Sequence, residues 1–151
     1  MTTIPRILTI QDMSSIGRCS LTVMLPIISA LQCQAVPLAT AVLSNHLEYP
    51  YFEIVDLSDH LTAFMDCWEK NNIDFNAIVS GFLASPEQIY LVEEAINRFG
   101  KDKMIIVDPA MADDGRLYSI YTPEMVKAMR HLISRAYIVK PNYTEACFLL
   151  D

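Results

Sequence analysis

The chain has 151 residues, 52% of them hydrophobic, and a formal charge of −7. That length gives one domain with room for a core, and the acidic balance argues against nucleic acid, which needs a basic face. The longest apolar run, Leu21 to Leu31, is interrupted by Thr22, Pro26 and Ser29 and falls short of a membrane span.

The opening M-T-T-I-P-R lacks signal-peptide architecture and leads into a first strand, Arg6 to Gln11. The loop D-M-S-S-I-G-R follows, and then a helix from Arg18 to Gln32 with Leu21, Met24, Leu25, Ile28 and Leu31 at helical spacing and a kink or break at Pro26. A loop opening onto a helix suits an anion or a substrate, and equally an ordinary strand–helix turn. Without G-x-G-x-x-G it gives no dinucleotide fingerprint. A second strand, Gln34 to Leu43, ends in S-N-H-L-E-Y-P-Y, where Asn45 and His46 beside Tyr49 and Tyr51 form either a ligand lip or an exposed turn.

Ser58 to Asn72 has helical periodicity, with Leu61, Phe64, Met65 and Trp68 on one face. Ala77 to Leu83 is a third strand. Ser85-Pro86-Glu87-Gln88 predicts a capping box with proline at the first helical position. Its helix turns Ile89, Val92, Ala95, Ile96 and Phe99 inward, and Gly100 is the expected C′ residue. Met104 to Val107 predicts a strand buried on both faces, stopped by Asp108-Pro109 because proline cannot donate to a ladder. Asp113, Asp114 and Gly115 predict a turn. Carboxylates gathered beyond a strand end suit Mg²⁺ shared with phosphates, and equally an acidic surface turn. Thr122-Pro123-Glu124 caps a further helix through Arg135. Ala136 to Val139 is the fifth strand, and K-P-N-Y-T-E leads into a helix over Tyr143 to Leu150 that stops at Asp151.

Strands and helices alternate at βαβ spacing, so the expected class is α/β, a mainly parallel sheet flanked by helices. Gly17, Gly81 and Gly115, three of the four glycines, fall at or just beyond strand ends on one rim, which makes that rim the expected site. The four cysteines, Cys19, Cys33, Cys67 and Cys147, form no C-x-x-C pair and predict reduced, mostly buried thiols in a cytoplasmic protein. The last helix has no polar exit, so Phe148, Leu149 and Leu150 are expected to meet solvent, and the chain reads as cut.

Five segments together carry a family pattern: Q-D-M-S-S-I-G-R-C-S-L-T-V, A-V-L-S-N-H, S-G-F-L-A-S, V-D-P-A-M-A-D-D-G-R-L-Y and K-P-N-Y-T-E-A. In this set and order the chain resembles the pyridoxal/pyridoxamine kinase family of the ribokinase-like superfamily, over its N-terminal half. The resemblance implies a ribokinase-like three-layer sandwich. It also implies ATP-dependent phosphorylation of the hydroxymethyl group of pyridoxal, pyridoxine or pyridoxamine, with Mg²⁺, in a cytoplasmic homodimer. It makes residues 1–151 the substrate- and metal-side part of one kinase domain.

The resemblance assigns Asp12, Ser44, Asn45, His46, Leu47 and Phe82 to the substrate ring. It assigns Asp108, Asp113, Asn142 and Glu145 to the phosphate side, with Asp108 on the metal and Glu145 acting on it through water. Asp108 and Glu145 are therefore expected at neighbouring strand ends, and Asp12, His46 and Phe82 around one pocket. Four positions depart from the family pattern: Leu47 for Thr, Glu48 for Gly, Ala112 for Gly and Lys140 for Thr. The family's G-T-G-D-type segment, which carries the anion hole and catalytic base, has no counterpart in this sequence. No catalytic base is therefore assigned here, and the chain alone is expected to be inactive. Two other readings compete: a hydroxymethylpyrimidine kinase, and a non-catalytic binding module.

Overall fold

The computed structural model describes residues 4–150. A six-stranded sheet runs through the chain, built from β1 (Arg6–Ser14), β2 (Gln34–Leu43), β3 (Ile54–Asp56), β4 (Ala77–Ser80), β5 (Met104–Val107) and β8 (Ile138–Val139), in the order β3-β2-β1-β4-β5-β8. All pairs are parallel except β2 with β3. A separate hairpin joins β6 (Ala112–Asp113) to β7 (Arg116–Leu117). The helices are α1 (Leu21–Ala30), α2 (Ser58–Lys70), α3 (Pro86–Phe99), α4 (Pro123–Ile133) and α5 (Tyr143–Leu150). The α/β class and mainly parallel sheet expected from the sequence are present.

The connection from β1 goes out to β2, and the chain then crosses back over β1 to β4. Right-handed crossovers in opposite directions put α1 on one face and α2, α3 and α4 on the other. Leu8, Ile10, Ile78, Ile105 and Val107 of the sheet pack there with Leu61, Met65, Ile89, Val92, Met125, Met129 and Leu132 into one core. Trp68, Phe75 and Phe99 meet edge to face at its far end, with centroids 5.2–6.3 Å apart.

Several element boundaries move for physical reasons. β1 runs on to Ser14 because β2 stays beside it through a register shift: Gln11 pairs with Ala39 but Met13 with Val42. The first helix starts at Leu21, not Arg18, since Arg18 and Ser20 hold positive φ of 50° and 51°, and it runs through Pro26. Phe64 points to solvent, contrary to its expected place on the apolar face of α2. At α3 the box is half formed: Ser85 Oγ accepts from the Gln88 N–H at 3.2 Å. The Gln88 side chain turns inward, accepting from the Ala84 N–H and donating to Thr40 O and Asp56 Oδ1. Gly100 is the C-cap residue with φ −89°, and the positive φ falls two residues later on Asp102.

β3 was not expected, since its three residues are all exposed at the sheet edge and carry no alternation. The thiols are free, but none is buried: Cys67 and Cys147 are exposed and the other two half-buried. Phe148 and Leu149 pack against the core, contrary to expectation, and Arg130 Nη2 donates to Phe148 O at 2.6 Å. Leu150 alone of the three is exposed, at 87%. Asp151 lies outside the described residues. No described helix is long and apolar enough to cross a membrane.

Candidate active site

The crossover from β2 back to β4 leaves a crevice outside the carboxyl ends of β1 and β4, where an open α/β sheet takes its ligands. A cavity of about 490 Å³ occupies it. Gln11, Asp12 and Ser14 reach it from β1, Gly81 and Phe82 from the end of β4, and Asp108 and Ala110 from the end of β5. Gly17, Cys19 and Ser20 close one side, His46, Leu47 and Glu48 another, and Tyr118 and Ser119 a third. The volume suits one small aromatic ring with substituents.

Asp12 sits at the register shift, where irregular pairing re-aims a side chain. It is 2% exposed, and its Oδ2 accepts from Ser14 Oγ at 2.9 Å. Its Oδ1 is buried with no partner among the described residues. Such an atom costs about 1–3 kcal/mol until a donor meets it, and it lines the cavity. His46 packs on Gly17, whose φ is +142°; a Cβ there would lie 2.3 Å from His46 Cδ2. The His46 Nδ1 accepts from the Glu48 N–H at 3.3 Å, so its other ring nitrogen carries the proton in the neutral form. Phe82 forms an aromatic wall with Tyr118 and Tyr121, centroids 6.3 and 6.4 Å away.

Ser44 and Asn45 do not line the cavity; they hold the loop. Ser44 Oγ donates to Asn45 Oδ1 and accepts from the Glu53 N–H, while Asn45 Nδ2 donates to Tyr51 O at 3.0 Å. Asp113, Asn142 and Glu145 also lie off the cavity lining. Asp113 sits in the hairpin, whose two-residue turn Asp114-Gly115 has φ of 48° and 79°, a geometry that suits Asp-Gly. The Gly115 N–H donates to Thr144 Oγ1, tying the turn to α5.

Asn142 and Glu145 form a reciprocal capping box at the start of α5. The Glu145 N–H donates to Asn142 Oδ1 and the Asn142 N–H to Glu145 Oε2, both at 2.8 Å. Glu145 Oε1 accepts from the Met111 N–H, and Asn142 Nδ2 donates to Ala112 O. Glu145 is 3% exposed. Burial pushes its carboxyl above the ordinary range and the charge of Asp108 adds to this, against the pull of the Asn142 and Met111 amides. Tyr118 is raised by burial and by Glu145, Asp113, Glu48 and Asp108, which marks this corner as rich in negative charge.

Asp108 stands at the end of β5, its N–H on Ser80 O at 3.0 Å. Lys140, on neighbouring β8's extension, reaches it with Nζ 3.1 Å from Asp108 Oδ2. The sequence reading missed this pair, together with Gln11, Ser14, Glu48 and Tyr118 as cavity residues. The first two were legible as the end of a strand whose Asp12 was already chosen. The described residues hold no cluster of three His, Cys, Asp or Glu side chains fit to cage a metal. Mg²⁺ rarely needs such a cage, since it is bound through one or two carboxylates with phosphates and waters. Asp108, partly exposed at the cavity wall, fits that use, with Glu145 behind it.

This architecture has close counterparts. A candidate phosphomethylpyrimidine kinase from Bacteroides thetaiotaomicron, solved with pyridoxal, is 45% identical with a TM-score of 0.95, covering 99% of this chain and 52% of its own. Pyridoxal kinase from Leishmania donovani, solved with ADP and pyridoxamine, is 26% identical with a TM-score of 0.85, over 95% of this chain and 52% of that one. A candidate pyridoxal kinase of Schizosaccharomyces pombe is 27% identical over 116 residues, 72% of this chain and 33% of the relative. The chain thus spans about half the length of the solved relatives and a third of the curated one. Residues 25–151 match the Phosphomethylpyrimidine kinase family, and the chain belongs to that ribokinase-like family of phosphotransferases.

Proposed function

We propose that this chain forms the substrate and phosphate walls of an ATP-dependent kinase acting on the hydroxymethyl group of a pyridine ring of the pyridoxal type. The observation that carries this is the cavity at the β1–β4 crossover, which joins an aromatic wall, Phe82, to an unpaired buried acceptor, Asp12 Oδ1. A carboxylate only accepts, so the ring meets it with a donor, a protonated ring nitrogen or a hydroxyl. Relatives solved with pyridoxal, and with ADP and pyridoxamine, support the same ligand classes.

The chemistry follows from position. Ring contacts fix the hydroxymethyl group toward Asp108, and phosphoryl transfer needs an aligned hydroxyl and neutralised phosphates more than covalent chemistry. Mg²⁺, brought with the nucleotide and held by Asp108, would supply that neutralisation. Glu145 anchors the α5 start against Met111 and so positions the backbone behind Asp108. His46, Leu47 and the Gly17 backbone shield the ring from water. Ser44 and Asn45 act as loop supports, and Asp113 and Asn142 as supports of the hairpin and α5. The proton of the hydroxyl is taken by a base that the family carries in its G-T-G-D-type segment. This chain alone is therefore expected to release no ADP from ATP with pyridoxal and Mg²⁺.

A hydroxymethylpyrimidine is the second reading, favoured by the family pattern over residues 25–151. Fluorescence titration with pyridoxal and with hydroxymethylpyrimidine separates the two by affinity. Phe82→Ala is expected to weaken the better ligand about three- to ten-fold, the scale of an aromatic contact. His60→Ala, on the exposed side of α2, leaves it unchanged. If His60→Ala abolishes binding and Phe82→Ala does not, the ring lies elsewhere.

A further inference from the structure

We infer that Lys140 is a phosphate-binding residue of this site, a tethered cation that Asp108 holds at the cavity wall. Several observations converge on it. The lining of the cavity carries the carboxylates of Asp12, Glu48 and Asp108, and no described lysine or arginine. Glu145 adds charge behind this wall, and its two oxygens are already taken by backbone amides. A phosphate arriving beside Asp108 therefore meets a negative surface. The cation facing it is Lys140, 3.1 Å from Asp108 Oδ2.

The backbone aims the side chain. The Lys140 N–H donates to Val107 O at 3.0 Å, so Lys140 leaves the sheet directly beside the residue preceding Asp108. Its side chain is 64% exposed. An exposed ion pair of this kind adds little to stability, whereas a lysine ammonium offers three donors as a compact point charge. One can stay on Asp108 while the others meet phosphate oxygens, so Asp108 positions the cation and does not merely neutralise it. Lys140 thereby offsets charge on the phosphate before any metal is bound.

This rests on Asp108 marking the phosphate side of the proposed kinase site, and it is tested apart from the ring. The probe is sodium tripolyphosphate, titrated calorimetrically into the chain in the presence of a chelator at fixed low salt. Lys140→Met is expected to weaken binding about ten-fold or more, the scale of a lost charge-assisted hydrogen bond, and Lys140→Arg to keep most of it. Asp108→Asn is expected to tighten binding, because it removes a repelling charge while its amide oxygen still accepts from the ammonium and keeps the cation in place. Lys101→Met, at the opposite end of the sheet, should change nothing.

No binding by the unaltered chain, an equal loss in Lys101→Met, or weakening by both Lys140→Met and Asp108→Asn would overturn the assignment. The last pattern is that of a merely structural ion pair. Circular dichroism confirms that each variant is folded, and Lys140→Arg carries the test if Lys140→Met is not. A chain that binds tripolyphosphate in this pattern but not pyridoxal refutes the ring assignment and leaves Lys140 standing.

Discussion

The two walls of the crevice are built on different terms. On the ring side, Asp12 keeps an oxygen buried and unpaired, Gly17 holds a φ of +142° under His46, and Ser20 enters α1 at φ 51°. On the phosphate side, Asn142 and Glu145 satisfy each other and the neighbouring backbone, the Asp114-Gly115 turn has the positive φ pair that a two-residue hairpin takes, and Asp108 has Lys140. The ring wall is costly in the free chain and gains on meeting a ligand; the phosphate wall is already satisfied and serves as a frame. Strain and unpaired polar groups at a site are completed by a ligand, and Asp12 Oδ1 and the backbone at Gly17 and Ser20 supply them on the ring wall.

The largest effect expected from breaking that contrast is at Gly17. An alanine there adds strain of about 1–3 kcal/mol from its φ and drives His46 off the glycine. Pyridoxal affinity should fall by about ten-fold or more, alongside a lower melting temperature. Unchanged titration curves would mean that His46 does not shape the ring wall.

On the opposite wall, Asn142→Ala removes the cap of α5 and the bond to Ala112 O. A loss of about 1–2 kcal/mol in denaturant unfolding is expected, with pyridoxal affinity nearly unchanged. A selective loss of ring binding would move Asn142 into the ligand site.

The smallest effect sharpens the comparison through pH. Glu145 has its carboxyl raised in the folded chain, so its protonated form is favoured there. Its stabilising contribution is present below its unfolded value and fades as pH rises through the folded one. Glu145→Gln removes the charge but keeps only one of the two acceptors, so it loses the bond to the Met111 or Asn142 N–H by the same amount at every pH. Relative to the unaltered chain, its stability should improve as pH rises from the ordinary glutamate range through the raised value of Glu145. A difference independent of pH would show that Glu145 is not held against its ionisation.

Much of this was legible in the sequence because the signals were local. Ile89, Val92, Ala95, Ile96 and Phe99 repeat at helical spacing and are buried, and Ser85 and Thr122 cap the helices they precede. The strand ends that collect Asp12, Phe82 and Asp108 at one rim follow from βαβ order alone. What stayed hidden depends on partners far along the chain. β3 has no pattern of its own and forms only because β2 offers an edge. Phe64 shares the period of Leu61 and Met65, but no neighbour covers it. The division of the acidic residues into an open wall and a closed one was also out of reach. A capping box and a metal ligand call for the same glutamate, and only the 2.8 Å contacts with Asn142 show which bonds it makes. Lys140 and Asp108, 32 positions apart, meet through the parallel pairing of β5 and β8.

The central claim is that Asp12 keeps its buried oxygen for the ring, at a cost to the free chain. Thermal unfolding of the unaltered chain and of Asp12→Asn, each with and without pyridoxal, tests it most directly. Asparagine replaces the buried carboxylate by a neutral amide; one polar atom stays unpaired, but the larger cost of burying a charge without a partner is relieved. The account predicts a higher melting temperature for Asp12→Asn without ligand, and a rise on adding pyridoxal in the unaltered chain only. A variant that melts lower in the free state yet gains as much from pyridoxal as the unaltered chain would contradict it.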